Sequence, residues 1–96
     1  MILDTMGRTI LERFAQAFPS SAQNRGGRKL RLGGWNRQLP VIETNVEAKD
    51  AFLRAVEELD SEGVISVKWK RYRRGDEVEA LYLENPEAVY ALLKQK

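Results

Sequence analysis

The residues best equipped for chemistry in this chain are its arginines and lysines, and they come in two bursts. Residues 68–74 read KWKRYRR, placing Lys68, Lys70, Arg71, Arg73 and Arg74 together with no acid among them. Residues 25–37 carry Arg25, Arg28, Lys29, Arg31 and Arg37, again without an acid. These segments hold ten of the sixteen basic residues, and the rest of the chain sets six basic residues against fourteen acidic ones. The net charge of +2 therefore hides a two-signed surface. Guanidinium and ammonium groups suit phosphate oxygens, and an arginine can also enter a narrow minor groove. Contacts of this kind position a protein on nucleic acid without reading its sequence. The plainer alternative is a solvated or protein-binding face, since hairpin tips are often charged to resist edge pairing. Five cations in seven residues exceed what solubility needs.

Other chemistries are disfavoured by what is missing. The chain has no cysteine and no histidine, which removes disulfides, thiolate metal sites, imidazole ligands and the commonest general base. Glu57, Glu58, Asp60 and Glu62 follow ordinary helical surface spacing. The glycine pairs in RGGRK and RLGGW lack the spacing of a phosphate-cradling loop. No catalytic residue, cofactor or metal is expected. No apolar run approaches the roughly 20 residues of a membrane span. The start MILDTMGRTI, with Asp4, lacks the basic and apolar regions of a secretory signal. A cytoplasmic location is expected, with no membrane partner.

The elements that position the cations follow from periodicity. Leu3, Met6, Ile10, Leu11, Phe14, Ala17 and Phe18 recur at helical steps, predicting a helix over 3–18 capped by Asp4 or Thr5 and ended by Pro19. Residues 19–45 read least clearly. KLRL, between two Gly-Gly pairs, suggests a short strand in which Leu30 and Leu32 alternate with Lys29 and Arg31. Leu39, Val41 and Ile42 are expected to dock as a second short extended piece. Trp35 can stack on an unpaired base, but beside Gly33-Gly34 it reads rather as closing the edge of a small core.

A second helix is predicted over 46–62, with Asn45 or Thr44 as cap and Gly63 as the residue that ends it. Phe52, Leu53, Val56 and Leu59 form its apolar face, extended backwards by Ala48 or Lys49. A hairpin follows, turning around Arg74-Gly75-Asp76. On its first strand Ile65, Val67 and Trp69 point one way, and Ser66, Lys68 and Lys70 the other. Trp69 is expected in the core. On the second strand Val78, Ala80 and Tyr82 should share one face, with Leu81 and Leu83 on the other. Tyr72, Tyr82 and Tyr90 should pack with their hydroxyls at the surface. Asn85 and Pro86 start a last helix whose stripe is Ala88, Val89, Leu92 and Leu93.

The order helix–strand–helix–β-hairpin–helix predicts an α+β, winged-helix-like domain across residues 1–96. It could be the N-terminal part of a longer protein. In that plan the helix before the hairpin reads bases and the hairpin is the wing. Helix 46–62, however, sets Glu47, Asp50, Glu57, Glu58, Asp60 and Glu62 against Lys49 and Arg54, a net charge of −4. Such a helix is a poor fit to a groove lined by phosphates. The basic hairpin, aided by the 25–37 strip, is the expected contact with double-stranded DNA. The alternative is a protein-interaction or dimerisation module, using the acidic helix or the apolar stripe of the last helix.

Several of these stretches also resemble a known family. The helix containing Ile10-Leu11-Glu12-Arg13-Phe14, the Arg-Leu strand, AFLRAVEELDSEGVISVKWKRY and then EVEALYLENP are similar to the N-terminal region of Wadjet JetD-type proteins. These are bacterial plasmid-defence nucleases related to the topoisomerase VI A subunit. The resemblance implies a winged-helix arm that helps hold plasmid DNA, with an SMC-like motor complex as partner. Cleavage in that family belongs to a metal-binding Toprim domain further along, so no catalytic residue carries over to these positions.

Overall fold

Backbone hydrogen bonding that the side chains complete decides where each element begins and ends. The computed structural model describes residues 3–18, 30–73 and 75–94. Arg25, Arg28, Lys29 and Arg74 lie outside the described residues, as do the side chains of Ala88 and Tyr90. The first helix, α1, spans Thr5–Ala17. The Asp4 carboxylate caps it by accepting the Gly7 N–H at 2.6 Å. A Cβ on Gly7 would lie 3.0 Å from that carboxylate oxygen, so glycine lets the cap close. Ile10, Leu11 and Phe14 form its buried face.

The strand predicted from KLRL is β1, Leu30–Gly33. The next segment departs from expectation. It contains two single helical turns, α2 at Trp35–Gln38 and α3 at Val41–Thr44, where an extended piece was expected. Leu39 and Ile42 are buried as anticipated, but Val41 is 45% exposed. Helical geometry is the reason. The Ile42 N–H donates to the Leu39 carbonyl at 3.1 Å, a three-residue step that brings those two side chains to one side and turns Val41 away.

The long helix α4 spans Val46–Ser61. Asn45 Oδ1 accepts the Ala48 N–H at 3.1 Å, the cap expected of it. At the other end Gly63 takes φ 74°, a left-handed value that disfavours other residues. The Gly63 N–H donates to the Asp60 carbonyl and the Val64 N–H to the Leu59 carbonyl, closing a Schellman motif. Val64 and Leu59 are both buried, so the turn that ends the helix is also packed. Phe52, Ala55, Val56 and Leu59 are buried, with Leu53 half-buried beside them.

That turn feeds the hairpin, β2 at Ile65–Tyr72 and β3 at Gly75–Leu83. The three strands form one antiparallel sheet in the order β1-β3-β2. Register places Leu30, Ile65 and Leu83 side by side, then Leu32, Val67 and Leu81, all against the core. Arg31, Tyr82 and Ser66 form the matching row on the outer face, followed by Gly33, Ala80 and Lys68. The register then slips: Lys68 faces Ala80 but Trp69 faces Val78, leaving Glu79 as a bulge. The extra residue reverses the alternation of β3. Val78 therefore leaves the expected Ala80–Tyr82 face and packs against the core instead.

The last helix, α5 at Pro86–Leu93, lies along α1 and buries Val89 and Leu92. Arg8 fastens it, its Nη1 donating to the Leu93 carbonyl at 3.1 Å. At the centre, Trp35 stands between Phe14 and Phe52, with ring centroids 5.9 and 5.7 Å away. The architecture is α+β, a set of helices packed with a small three-stranded antiparallel sheet around one core.

Candidate nucleic-acid interface

Cations reach solvent here because the hairpin is longer than the core that supports it. Ile65 is buried, and Ser66 and Val67 are half-buried. Every residue from Lys68 to Arg73 is exposed. The strand's alternation thus continues past the last residue able to cover it. Trp69 lies on the core-facing side of β2, as its spacing predicts, yet it is 41% exposed and not a core residue. Sequence alternation reports direction, not depth. The opposite holds for Trp35, which is 2% exposed and donates its indole Nε1–H to the Leu32 carbonyl at 2.9 Å. It closes the core edge and is not free to stack on a base.

The cations of the hairpin differ in their surroundings. Lys68 Nζ lies 3.3 Å from Glu79 Oε2, so the bulge residue partly neutralises it. Lys70 Nζ sits 5.3 Å from the centroid of the Tyr72 ring. Tyr72 raises the Lys70 pKa above the ordinary lysine value, by hydrogen bonding and then by its charge, with Glu79 and Glu77 adding to the effect. Arg71 and Arg73 are exposed and make no ion pair among the described residues.

Two residues of the earlier basic strip join them. Arg31 stands on the outer face of the sheet, one row from Lys68. Its guanidinium lies across Gly33, 3.3 Å from where a Cβ would stand. Arg37, at the end of α2, lines a shallow cleft of about 350 Å³ with Lys70, Tyr72, Glu77 and Glu79. Arg31, Arg37, Lys68 and Lys70 thus gather on one side of the molecule. Arg71 alternates to the other face of β2, beside Trp69. The contact of Lys70 with Tyr72 was not anticipated, although their two-residue step along one strand was the signal for it. The ion pair from Glu79 was not legible, because it depends on the bulge.

The side towards α4 has the opposite character. A cleft of about 410 Å³ between α4 and the hairpin has an apolar floor of Trp35, Ile42, Phe52, Leu53 and Val78. Glu43, Glu77 and Lys49 stand at its rim. Glu47, Asp50, Glu57, Glu58, Asp60 and Glu62 are all exposed along or just beyond the helix. Among the described residues no cluster of three or more potential ligands could hold a metal ion, and no helix is long and apolar enough to cross a membrane. No family model, curated protein or solved structure gives a significant match to the chain.

Proposed function

We propose that this is a winged-helix domain that holds double-stranded DNA by its phosphate backbone, through the β2–β3 hairpin acting as the wing. The observation that carries the reading is the exposed run from Lys68 to Arg73, with four cations and no acid, standing clear of the core. The chain order supports it, since a helix turns directly into an antiparallel hairpin and an earlier strand completes the sheet in the order β1-β3-β2. In this reading α2 and α3 stand in for the second helix of the winged-helix plan. Arg31 and Arg37 supply a second line of contact.

The acidic α4 keeps its own surface away from phosphates, so the domain positions itself on DNA without reading bases. In the setting suggested by the JetD-type resemblance, such an arm would steady plasmid DNA for cleavage elsewhere, alongside an SMC-like motor. A salt titration of binding to random-sequence duplex tests the proposal. Weak, sequence-tolerant binding that falls steeply with salt is expected. Affinity that is flat with salt, or confined to one sequence, would overturn it.

A second reading has one observation in its favour: six exposed acids along and just beyond α4 outnumber the exposed Lys49 and Arg54, an excess suited to a basic protein partner. Dimerisation through α5 would instead have to open the α1–α5 contact, because Val89 and Leu92 are already buried.

A further inference from the structure

The exposed part of the hairpin carries aromatic rings as well as cations, and they are arranged on both faces. Trp69 and Tyr72 are 41% and 49% exposed, whereas every described phenylalanine is at least half-buried and Trp35 is fully enclosed. Alternation along β2 places Trp69 and Arg71 on one face and Lys70 and Tyr72 on the other. The Lys70–Tyr72 contact at 5.3 Å agrees with that assignment. Each face of the distal strand thus presents one ring and one cation. An intact duplex uses only half of this arrangement. Its phosphates can meet the cations, but its interior bases are stacked on one another and offer no π-face to either ring. Unpaired bases do, and they stack on aromatic side chains while the backbone lies against nearby arginine or lysine.

From this two-sided arrangement we infer that the wing's preferred ligand is a forked DNA end, where a duplex opens into two single strands that pass on opposite sides of the hairpin. One strand stacks an unpaired base on Trp69, with its phosphate at Arg71. The other stacks on Tyr72, with its phosphate at Lys70. A lone single strand would engage one face at a time, and a blunt duplex offers only the outer face of a terminal base pair, which cannot reach both rings at once. The inference rests on the backbone-binding reading above and adds the structural class of DNA to it.

The test compares a blunt duplex, a single strand of equal length and a fork with two unpaired arms, by anisotropy competition. The fork should bind about tenfold or more tighter than the blunt duplex, the scale of stacking one base on a ring. Trp69→Ala and Tyr72→Ala should each lower that preference, and Trp69→Ala, which leaves the Lys70–Tyr72 contact in place, should keep blunt-duplex affinity nearly unchanged. Trp69→Phe and Tyr72→Phe, which keep a ring, should restore it. Because Trp35 is enclosed, ligand-dependent quenching of indole emission reports Trp69, and the fork should quench it more strongly than the blunt duplex. Equal affinity for fork and blunt duplex would overturn the inference, as would a preference that survives both alanine variants. Indole quenching only on adding a protein partner would also overturn it and assign the rings to a protein surface. Salt-sensitive duplex binding without fork preference would sink this inference alone. Absence of binding to every DNA would sink the parent reading with it.

Discussion

Replacing Arg71 and Arg73 together by glutamine should flatten the salt dependence of duplex binding by a calculable amount. Each phosphate neutralised on B-DNA contributes about −0.9 to the slope of log affinity against log salt. Lys68 is already paired with Glu79 and so releases little counterion on binding. Among the described residues Lys70, Arg71 and Arg73 remain on the wing, and these three alone give a slope of about −2.7. Between 50 and 200 mM salt the parent protein should lose about 40-fold in affinity, and the double variant only about 3.5-fold. If Arg31 and Arg37 also touch phosphates, both slopes steepen equally, and the difference of about 1.8 survives. Fluorescence anisotropy on a labelled random duplex at five or six salt concentrations measures both slopes. Both arginines are exposed, so the thermal midpoint should not move, and a shared melting curve is the control for folding. Slopes that differ by less than about 0.5 would refute the reasoning. So would a loss confined to some sequences.

Three further outcomes follow from the same geometry. Glu79→Gln should release Lys68, steepen the slope by at most about 0.9 and tighten binding at low salt, in the same titration. Trp35→Ala should cost about 3–5 kcal/mol in urea denaturation, because it empties the space between Phe14 and Phe52 and strands the Leu32 carbonyl. Set against the roughly 5–15 kcal/mol typical of a domain, that is close to unfolding. Asn45→Ala should cost about 1 kcal/mol by removing the acceptor for the Ala48 N–H, whereas Asn45→Asp should be nearly silent in the same assay.

How much of this was legible in the sequence depended on whether a signal was local. Asn45 and Gly63 bracket α4 with two local signals, a side-chain cap and a left-handed glycine, and both were readable. The strand at Leu30–Gly33 was readable from its alternation alone. The turns at 35–38 and 41–44 were not, because four residues are too few to show a helical period. Val78 was misplaced because a bulge shifts alternation by one residue without leaving a local signature. Trp69 was misread as core because its spacing is that of a core residue, while its depth depends on where the neighbouring elements stop. For the candidate site, the two bursts of charge were plain. That Arg37 would line one cleft with Lys70, while Glu79 quenched Lys68, required the fold.

The bulge at Glu79 has a consequence for how the molecule breathes. It separates a proximal hairpin, locked between the core and β1, from a distal hairpin whose β3 residues 75–79 lack β1 as a neighbour. The distal amides should exchange with solvent through local fraying, at free energies well below global unfolding, while Leu81 and Leu83 exchange only when the whole core opens. A segment that melts alone can gain or lose charge, rings or length at little cost to the fold. Substitutions in the wing are thereby uncoupled from the stability of the core that carries it.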